Sequence, residues 1–237
     1  AEALHETCDI SDFIWSYGYM LMATGDVKWA DKMESAVYNA ALGAINKDFK
    51  ALQYFSSPNQ LLATEKSSMA PYGEEGLSRQ AYRPGFDVEC CSGNVHRMFP
   101  NYISRMWMNG DEHEIVAALY GPSEYRTEIN GTKVCITEDT SYPFSGKITF
   151  RFALDGAPVR IPFTMRIPSW VENAKLTVNA EQPKEYHAGG FSTIERRFKD
   201  GDVVELDIDM KPRAEKRTDA GINVYMGPLL YSVDIDE

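Results

Sequence analysis

Apolar positions in the first hundred residues of the chain recur at helical spacing. An apolar and aromatic run over residues 12–23 is closed by Thr24-Gly25-Asp26. Gly25 suits a helix C-cap, and Asp26 suits the N-cap of a following helix. The spacing of the next apolar residues predicts that second helix over residues 27–45. The pattern therefore predicts two consecutive helices joined by a very short turn.

The rest of this first part predicts a long loop and one more helix. A short strand is predicted over residues 52–55, and residues 56–88 hold several Pro and Gly residues that favour an irregular loop. Loops of this length are uncommon unless they are functional or disordered. A third helix is predicted over residues 92–108, with Pro100 marking a kink or an early turn.

Beyond residue 112 apolar and polar positions alternate, which is typical of strands. Turn sequences such as Asn130-Gly131 separate the alternating segments. We therefore predict an α+β multidomain fold with helices in residues 1–112 and an antiparallel, jelly-roll-like β-sandwich in residues 113–237. The predicted strands are residues 113–120, 125–129, 132–137, 147–153, 163–167, 175–178, 192–198, 203–208 and 223–226.

Composition and charge exclude two classes of partner. The chain has 237 residues, of which 43% are apolar and 25% are charged, as in ordinary globular proteins. Lys and Arg total 24 against 35 Asp and Glu, and this net charge of −11 argues against nucleic-acid binding. No apolar run reaches the ~20 residues that a transmembrane helix needs, so we expect no membrane span.

The residues that suggest chemistry are Glu6-Thr7-Cys8 and Cys90-Cys91. Side chains two positions apart point the same way only from an extended segment, so Glu6 and Cys8 are expected in extended chain if they bind one metal. Both segments precede predicted helices, whose N-termini favour thiolates. Three thiolates and a carboxylate suit zinc. The alternative is that these cysteines are unrelated small buried residues.

The same two segments, together with several others, resemble a known family. The similarity runs through almost the whole chain, and the Glu-x-Cys element with a distant Cys-Cys pair is its most specific part. These segments resemble glycoside hydrolase family 127, the β-L-arabinofuranosidase family, in the C-terminal part of the enzyme. Besides Cys90-Cys91, the matching segments are His5-Glu6-Thr7-Cys8, Thr24-Gly25-Asp26, Tyr38-Asn39-Ala40, Arg166-Ile167-Pro168-Ser169-Trp170, Gly201-Asp202 and Gly227-Pro228-Leu229-Leu230-Tyr231.

The resemblance implies a fold and a set of site residues. Residues 1–112 would be the last helices of an (α/α)-barrel catalytic domain that carries a zinc-thiolate site. The first cysteine of the pair, Cys90, would be the nucleophile. Glu34 and Tyr54 fall at positions that resemble sugar-hydroxyl contacts, the alternatives being a solvated helix face and ordinary strand packing. The implied Zn²⁺ ligands are Glu6, Cys8, Cys90 and Cys91.

The implied activity is that of a retaining glycoside hydrolase that releases terminal L-arabinofuranose-like sugars from a plant-type glycan. The family's acid/base Glu lies further upstream than Ala1 allows, so we expect a fragment that lacks it. Further expected partners are the missing N-terminal part of the enzyme or a second copy of the chain. The alternative function is a non-catalytic carbohydrate-binding or structural module with a structural zinc site. The compartment stays open between bacterial cytoplasm and periplasm.

Overall fold

The computed structural model describes residues 4–57, 60, 63–64, 79–187, 189–217 and 221–233. Most of the predicted loop over residues 56–88 therefore lies outside the described residues. The chain begins with a two-residue strand, β1 (His5–Glu6), which leads directly into helix α1 (Thr7–Thr24). Strand β1 pairs in antiparallel fashion with β2 (Phe55–Ser56). None of the helices in the described ranges is long and apolar enough to cross a membrane.

The predicted turn between the first two helices is confirmed. Gly25 adopts a left-handed conformation with φ of 62° and donates its backbone N–H to the Leu21 carbonyl oxygen at 2.9 Å. Helix α2 (Val27–Ser35) starts at once, with the Asp26 carboxylate accepting the Lys28 N–H at 3.0 Å. A π-helical segment, Ala36–Ala41, then continues it. The predicted second helix is thus correct in place, but it widens into a π-helix from Ala36 onward.

The predicted third helix is wrong as a continuous element. Residues 90–103 form helix α3 (Cys90–Asn94), a 3₁₀ turn (Val95–Arg97) and helix α4 (Met98–Ile103). Pro100 is tolerated because it lies in the first turn of α4, where no intrahelical partner for its missing N–H is needed. The last predicted residues leave the helix altogether and form a strand, because the Trp107 ring packs against Phe150 and Phe163 of the sandwich core.

A β-sandwich of two large sheets follows the helices. One sheet has six strands in the order β10-β9-β12-β7-β6-β5, and the other has four in the order β11-β8-β4-β3. Strand β4 runs parallel to β8, so the expectation of a purely antiparallel sandwich is wrong at this one pairing. The strands are β3 (Trp107–Asn109), β4 (Ile115–Ala117), β5 (Ser123–Ile129), β6 (Thr132–Thr140), β7 (Lys147–Asp155), β8 (Val159–Ile167), β9 (Asn173–Val178), β10 (Lys184–His187), β11 (Gly190–Phe198) and β12 (Val203–Ile208).

The sandwich core is built from aromatic rings that both sheets contribute. Phe150 and Phe152 of β7 face Phe163 of β8 and Phe198 of β11. The Phe152 and Phe198 rings stack with centroids 4.1 Å apart, and Phe150 meets Phe163 edge to face at 5.0 Å. Such ring pairs contribute about 0.5–1.5 kcal/mol each beyond their buried area. Burial alternates along strands such as β6 and β12, whereas β8 is buried at almost every position.

A third, three-stranded sheet ends the described chain. It consists of β13 (Pro212–Lys216), β14 (Ile222–Met226) and β15 (Leu229–Leu230), in that order. Asn39 of the π-helical segment holds this sheet against the helices, because its amide donates to Pro228 O at 2.9 Å and accepts from Leu230 N at 2.8 Å. The predicted division of the chain between residues 112 and 113 stays a prediction.

Candidate metal centre

The first half of the centre is positioned by the junction of β1 and α1. Glu6 pairs with Phe55 across β1 and β2, and the next residue, Thr7, donates its N–H to Tyr54 O at 3.0 Å. Glu6 is the N-cap of α1 in extended conformation, and it forms a capping box with Asp9. Cys8 lies within the first turn of α1. The expectation that Glu6 and Cys8 both lie in extended chain is therefore wrong for Cys8.

The second half is the start of α3. Cys90 and Cys91 are the first two residues of this helix rather than residues ahead of it. The Asn94 side chain donates to Cys90 O at 2.7 Å and so closes the short helix on itself. The Ser11 hydroxyl of α1 donates to Asn94 O at 3.1 Å. This contact ties α3 to α1 and brings the two cysteine-bearing helix starts together.

Four side chains predicted as metal ligands meet at this junction. The Cys8 Sγ lies 3.7 Å from the Cys91 Sγ and 4.0 Å from the Cys90 Sγ. One Glu6 carboxylate oxygen lies 3.1 Å from the Cys8 Sγ and 3.8 Å from the Cys90 Sγ. All four ligand atoms lie within 4.8 Å of one another. The sequence pattern therefore selected residues that the fold gathers into one cluster, although they are separated by more than eighty positions.

Burial keeps protons on two of these thiols when no cation is near. Loss of solvent raises the pKa of Cys8 well above its ordinary value, and the neighbouring Glu6 carboxylate raises it further. Burial also raises the pKa of Cys91 to about 11. The sequence-based expectation that helix N-termini favour thiolates here is thus outweighed by desolvation. A metal ion would reverse the balance, because thiolate ligands lose their protons on binding.

Tyr54 joins the two halves of the centre. Its hydroxyl lies 2.9 Å from the Cys90 Sγ, and its backbone oxygen lies 3.7 Å from the Cys91 Sγ. Burial raises the pKa of Tyr54 well above its usual range, so its hydroxyl keeps its proton, and either this hydroxyl or the Cys90 thiol can donate the hydrogen bond between them. The structure therefore places Tyr54 in contact with the predicted nucleophile. Its predicted role as a sugar contact stays a prediction.

Glu34 lies in a different cluster, between the helices and the sandwich. Its side chain is 0% exposed, so the alternative of a solvated helix face is wrong. Its carboxylate forms an ion pair with Arg166 of β8 and accepts the Tyr142 hydroxyl at 2.8 Å. Arg166 also binds Asp31 at 2.6 Å. These contacts give Glu34 a structural role, and its predicted contact with a sugar hydroxyl stays a prediction.

Two features of the centre were missed in the sequence. The Arg79 guanidinium lies 4.9 Å from the centre of the Tyr54 ring, and the Phe86 ring meets the same ring at 5.5 Å. Both residues come from the Pro- and Gly-rich segment that precedes Cys90, and neither belongs to a periodic pattern. The fourth cysteine, Cys135, lies in β6 of the six-stranded sheet, away from the centre.

The fold around this centre is that of solved glycoside hydrolases. One structure described as a glycoside hydrolase matches 96% of this chain with a TM-score of 0.80 and 26% identity. A GH127 β-L-arabinofuranosidase from Geobacillus stearothermophilus T6 matches 96% with a TM-score of 0.79 and 24% identity. A GH127 β-arabinofuranosidase matches 96% with a TM-score of 0.77 and 21% identity.

Family models define the particular family. Residues 1–104 match the catalytic domain of GH127 β-L-arabinofuranosidases, and residues 114–210 match the GH127 middle domain. The chain belongs to glycoside hydrolase family 127. A comparison with curated proteins gave no match. The chain spans 37%, 36% and 37% of the three solved structures, so it corresponds to little more than a third of each.

Proposed function

We propose that this chain is part of a retaining glycoside hydrolase that releases terminal L-arabinofuranose-like sugars and uses Cys90 as its nucleophile. The observation that carries the proposal is the meeting of Glu6, Cys8, Cys90 and Cys91 within 4.8 Å in a chain of this family. Thiolates are strong nucleophiles, and a covalent intermediate is what a retaining mechanism requires. The carbohydrate substrate and the activity of the whole enzyme belong to this proposal.

The donor set fits zinc. In a tetrahedral site with Zn–S distances near 2.3 Å, two sulfur ligands lie about 3.8 Å apart. The Cys8–Cys91 and Cys8–Cys90 sulfur separations of 3.7 and 4.0 Å agree with that spacing. Three soft thiols also favour zinc over Mg²⁺ or Ca²⁺. When bound by these four residues, zinc would hold the thiols in their deprotonated, nucleophilic form.

Cys90 and Tyr54 have different roles in the proposed reaction. The Cys90 sulfur attacks the anomeric carbon, so that a C–S bond forms while the glycosidic C–O bond breaks. A carboxylic acid from the rest of the enzyme protonates the departing oxygen and later deprotonates the water that displaces the sulfur. The Tyr54 hydroxyl donates a hydrogen bond to the Cys90 thiolate and so holds the direction of the sulfur, which the 2.9 Å contact supports.

The helices also fit a partial (α/α) barrel. Helix α1 buries one side against α2 and α4, yet it exposes large apolar side chains on its other side. Phe13 is 49% exposed, Tyr19 is 52% exposed and Met22 is 53% exposed. A helix that is apolar around its whole circumference is normally buried on all sides. We propose that further helices of the barrel cover this side in the complete enzyme.

Cys90→Ser in the complete enzyme tests the proposed nucleophile. We expect turnover of an aryl β-L-arabinofuranoside to fall by at least about 1,000-fold, because the attacking thiolate is lost. Cys135→Ser is the matched control, since Cys135 is a half-buried cysteine of the sandwich, and it should keep near-normal turnover. If Cys90→Ser keeps its activity, Cys90 is not the nucleophile and the cluster is at most a structural metal site.

A further inference from the structure

The position of the Cys90 sulfur depends on one tyrosine ring. Tyr54 contacts Cys90 through its hydroxyl, at 2.9 Å, and its backbone oxygen binds the Thr7 N–H at 3.0 Å. The residue is 4% exposed. Rotation of the side chain about its Cα–Cβ bond would carry the hydroxyl away from the sulfur, so the groups packed against the ring also hold this hydrogen bond in place. The side chains around the Tyr54 ring therefore influence the position of the Cys90 sulfur.

Arg79 is the cation that fixes the ring. The Tyr54 N–H donates to Arg79 O at 2.9 Å, which holds the two residues side by side. The Arg79 guanidinium then lies over the Tyr54 ring, 4.9 Å from its centre, within the usual range of a cation–π contact. The Phe86 and Phe55 rings meet the same ring edge to face.

Arg79 is itself anchored to the segment that carries the cysteine pair. One guanidinium nitrogen lies 3.2 and 3.1 Å from the two carboxylate oxygens of Asp87, three positions before Cys90. The Arg79 side chain is about a quarter exposed, while Asp87 is largely exposed. The guanidinium thus connects the ring that contacts the sulfur with the backbone that leads to the sulfur. An ion pair at the surface alone would contribute little.

We propose that Arg79 is a positioning residue for the Cys90 sulfur and that it acts through the Tyr54 ring. This inference rests on the proposed function, because it assigns a role within the same reactive centre. Arg79 touches no metal ligand directly in these contacts. Its effect on the sulfur is transmitted by the cation–π contact and by the Tyr54 hydroxyl. A Lys at this position keeps the positive charge near the ring but lacks the planar guanidinium group that both stacks on the ring and binds the Asp87 carboxylate.

A double-mutant cycle in the complete enzyme tests the route of this effect. We expect Arg79→Gln to lower kcat about tenfold with KM changed less than about twofold, and Arg79→Lys to recover at least about threefold of the loss. In a Tyr54→Phe background, Arg79→Gln should change kcat less than about twofold, because the hydroxyl through which Arg79 acts on the Cys90 sulfur is already absent. Additive losses, or a loss in KM alone, would overturn the proposal.

The matched control is Arg196→Gln in the sandwich. Arg196 also lies over an aromatic ring, 5.7 Å from the centre of Phe198, and also pairs with an exposed carboxylate, Glu181, at 3.4 Å. Its side chain is as exposed as that of Arg79. We expect kcat within about twofold of the unmodified enzyme. A tenfold loss in this variant as well would show a general effect of surface arginines and would contradict the inference.

Alkylation of Cys90 by iodoacetamide separates this inference from the proposed function. The rate is measured by peptide mass spectrometry in reduced protein, both with zinc and after chelation, and needs no sugar substrate. We expect Arg79→Gln to change the Cys90 rate at least about threefold with Tyr54 present and less than about 1.5-fold in the Tyr54→Phe background. Equal changes in both backgrounds would overturn the role of Arg79. If the enzyme is inactive on arabinofuranosides but this coupling is found, only the proposed function fails.

Discussion

Replacement of Arg166 by Met probes the contact that fixes the helices on the sandwich. Arg166 is 0% exposed and is among the largest fully buried side chains in the described part of the chain. It binds Glu34 and Asp31 of α2 and donates to Ala118 O at 2.7 Å. The substitution keeps most of the side-chain volume and removes the charge. Two carboxylates are then left without their cation.

The magnitude follows from the burial of these partners. Removal of one member of a buried ion pair costs about 3–5 kcal/mol, because the other member stays buried and uncompensated. Arg160→Met is the matched control on the same strand, since its pair with Glu195 at 2.7 Å is half exposed. That control should cost less than about 1 kcal/mol. Combining Arg166→Met with Glu34→Gln should recover at least about 1 kcal/mol of the loss.

The loss should also depend on pH. Burial raises the pKa of Glu34 from its ordinary value of 4.5 to about 7, although the nearby Arg166 acts to lower it. The folded state therefore binds more protons than the unfolded state between these two values, and the contribution of Glu34 to stability falls as pH rises through this window. Without Arg166 the pKa rises further, so the variant should lose more stability near pH 8 than near pH 5.

Urea unfolding at pH 5 and pH 8, followed by tryptophan fluorescence, measures these quantities. We expect a large loss of stability for Arg166→Met, larger at the higher pH, and a small loss for Arg160→Met. A loss below about 1 kcal/mol for Arg166→Met would refute the reasoning, because it would mean that the buried charges are solvated. Equal losses in the two variants at both pH values would refute it as well.

Two further predictions concern other buried contacts. Burial raises the pKa of Glu138 to about 8, so the contribution of Glu138 to stability falls as pH rises from 4.5 to 8. Glu138→Gln should therefore flatten the pH dependence of the thermal midpoint, and an unchanged pH dependence would contradict this. Asn39→Ala removes the two hydrogen bonds that hold the C-terminal sheet and should cost about 1–3 kcal/mol. Limited proteolysis should then cut near residue 221 sooner than in the unmodified protein, and an unaltered cleavage pattern would argue against this role.

Local signals in the sequence predicted local structure well. Thr24-Gly25-Asp26 predicted the turn between α1 and α2 because a left-handed Gly and an Asp N-cap act within a few residues of themselves. The alternation beyond residue 112 likewise predicted the position of nine strands. Strands β10, β13 and β15 were not predicted. Exposed residues such as Lys184 and Lys216 leave β10 and β13 without apolar alternation, and β15 has only two residues.

Contacts between distant parts of the chain could not be predicted from spacing. The ion pair between Glu34 and Arg166 joins residues 132 positions apart, and no local sequence pattern predicts it. The end of α4 at Ile103 has the same origin, since the Trp107 ring packs against Phe150 in the sandwich core. The ligand set was predicted from residue types and family resemblance, whereas the place of Cys8 inside α1 depends on the β1–β2 pairing.

The most direct test of the central claim is covalent labelling of the complete, zinc-loaded enzyme with a thiol-reactive L-arabinofuranose mimic. Peptide mass spectrometry then identifies the modified residue, and Cys135 serves as an internal control. We expect the label on Cys90, no label on Cys135, and protection of Cys90 by free L-arabinose. A label on a carboxylate residue, or equal labelling of Cys90 and Cys135, would contradict the assignment of Cys90 as the nucleophile.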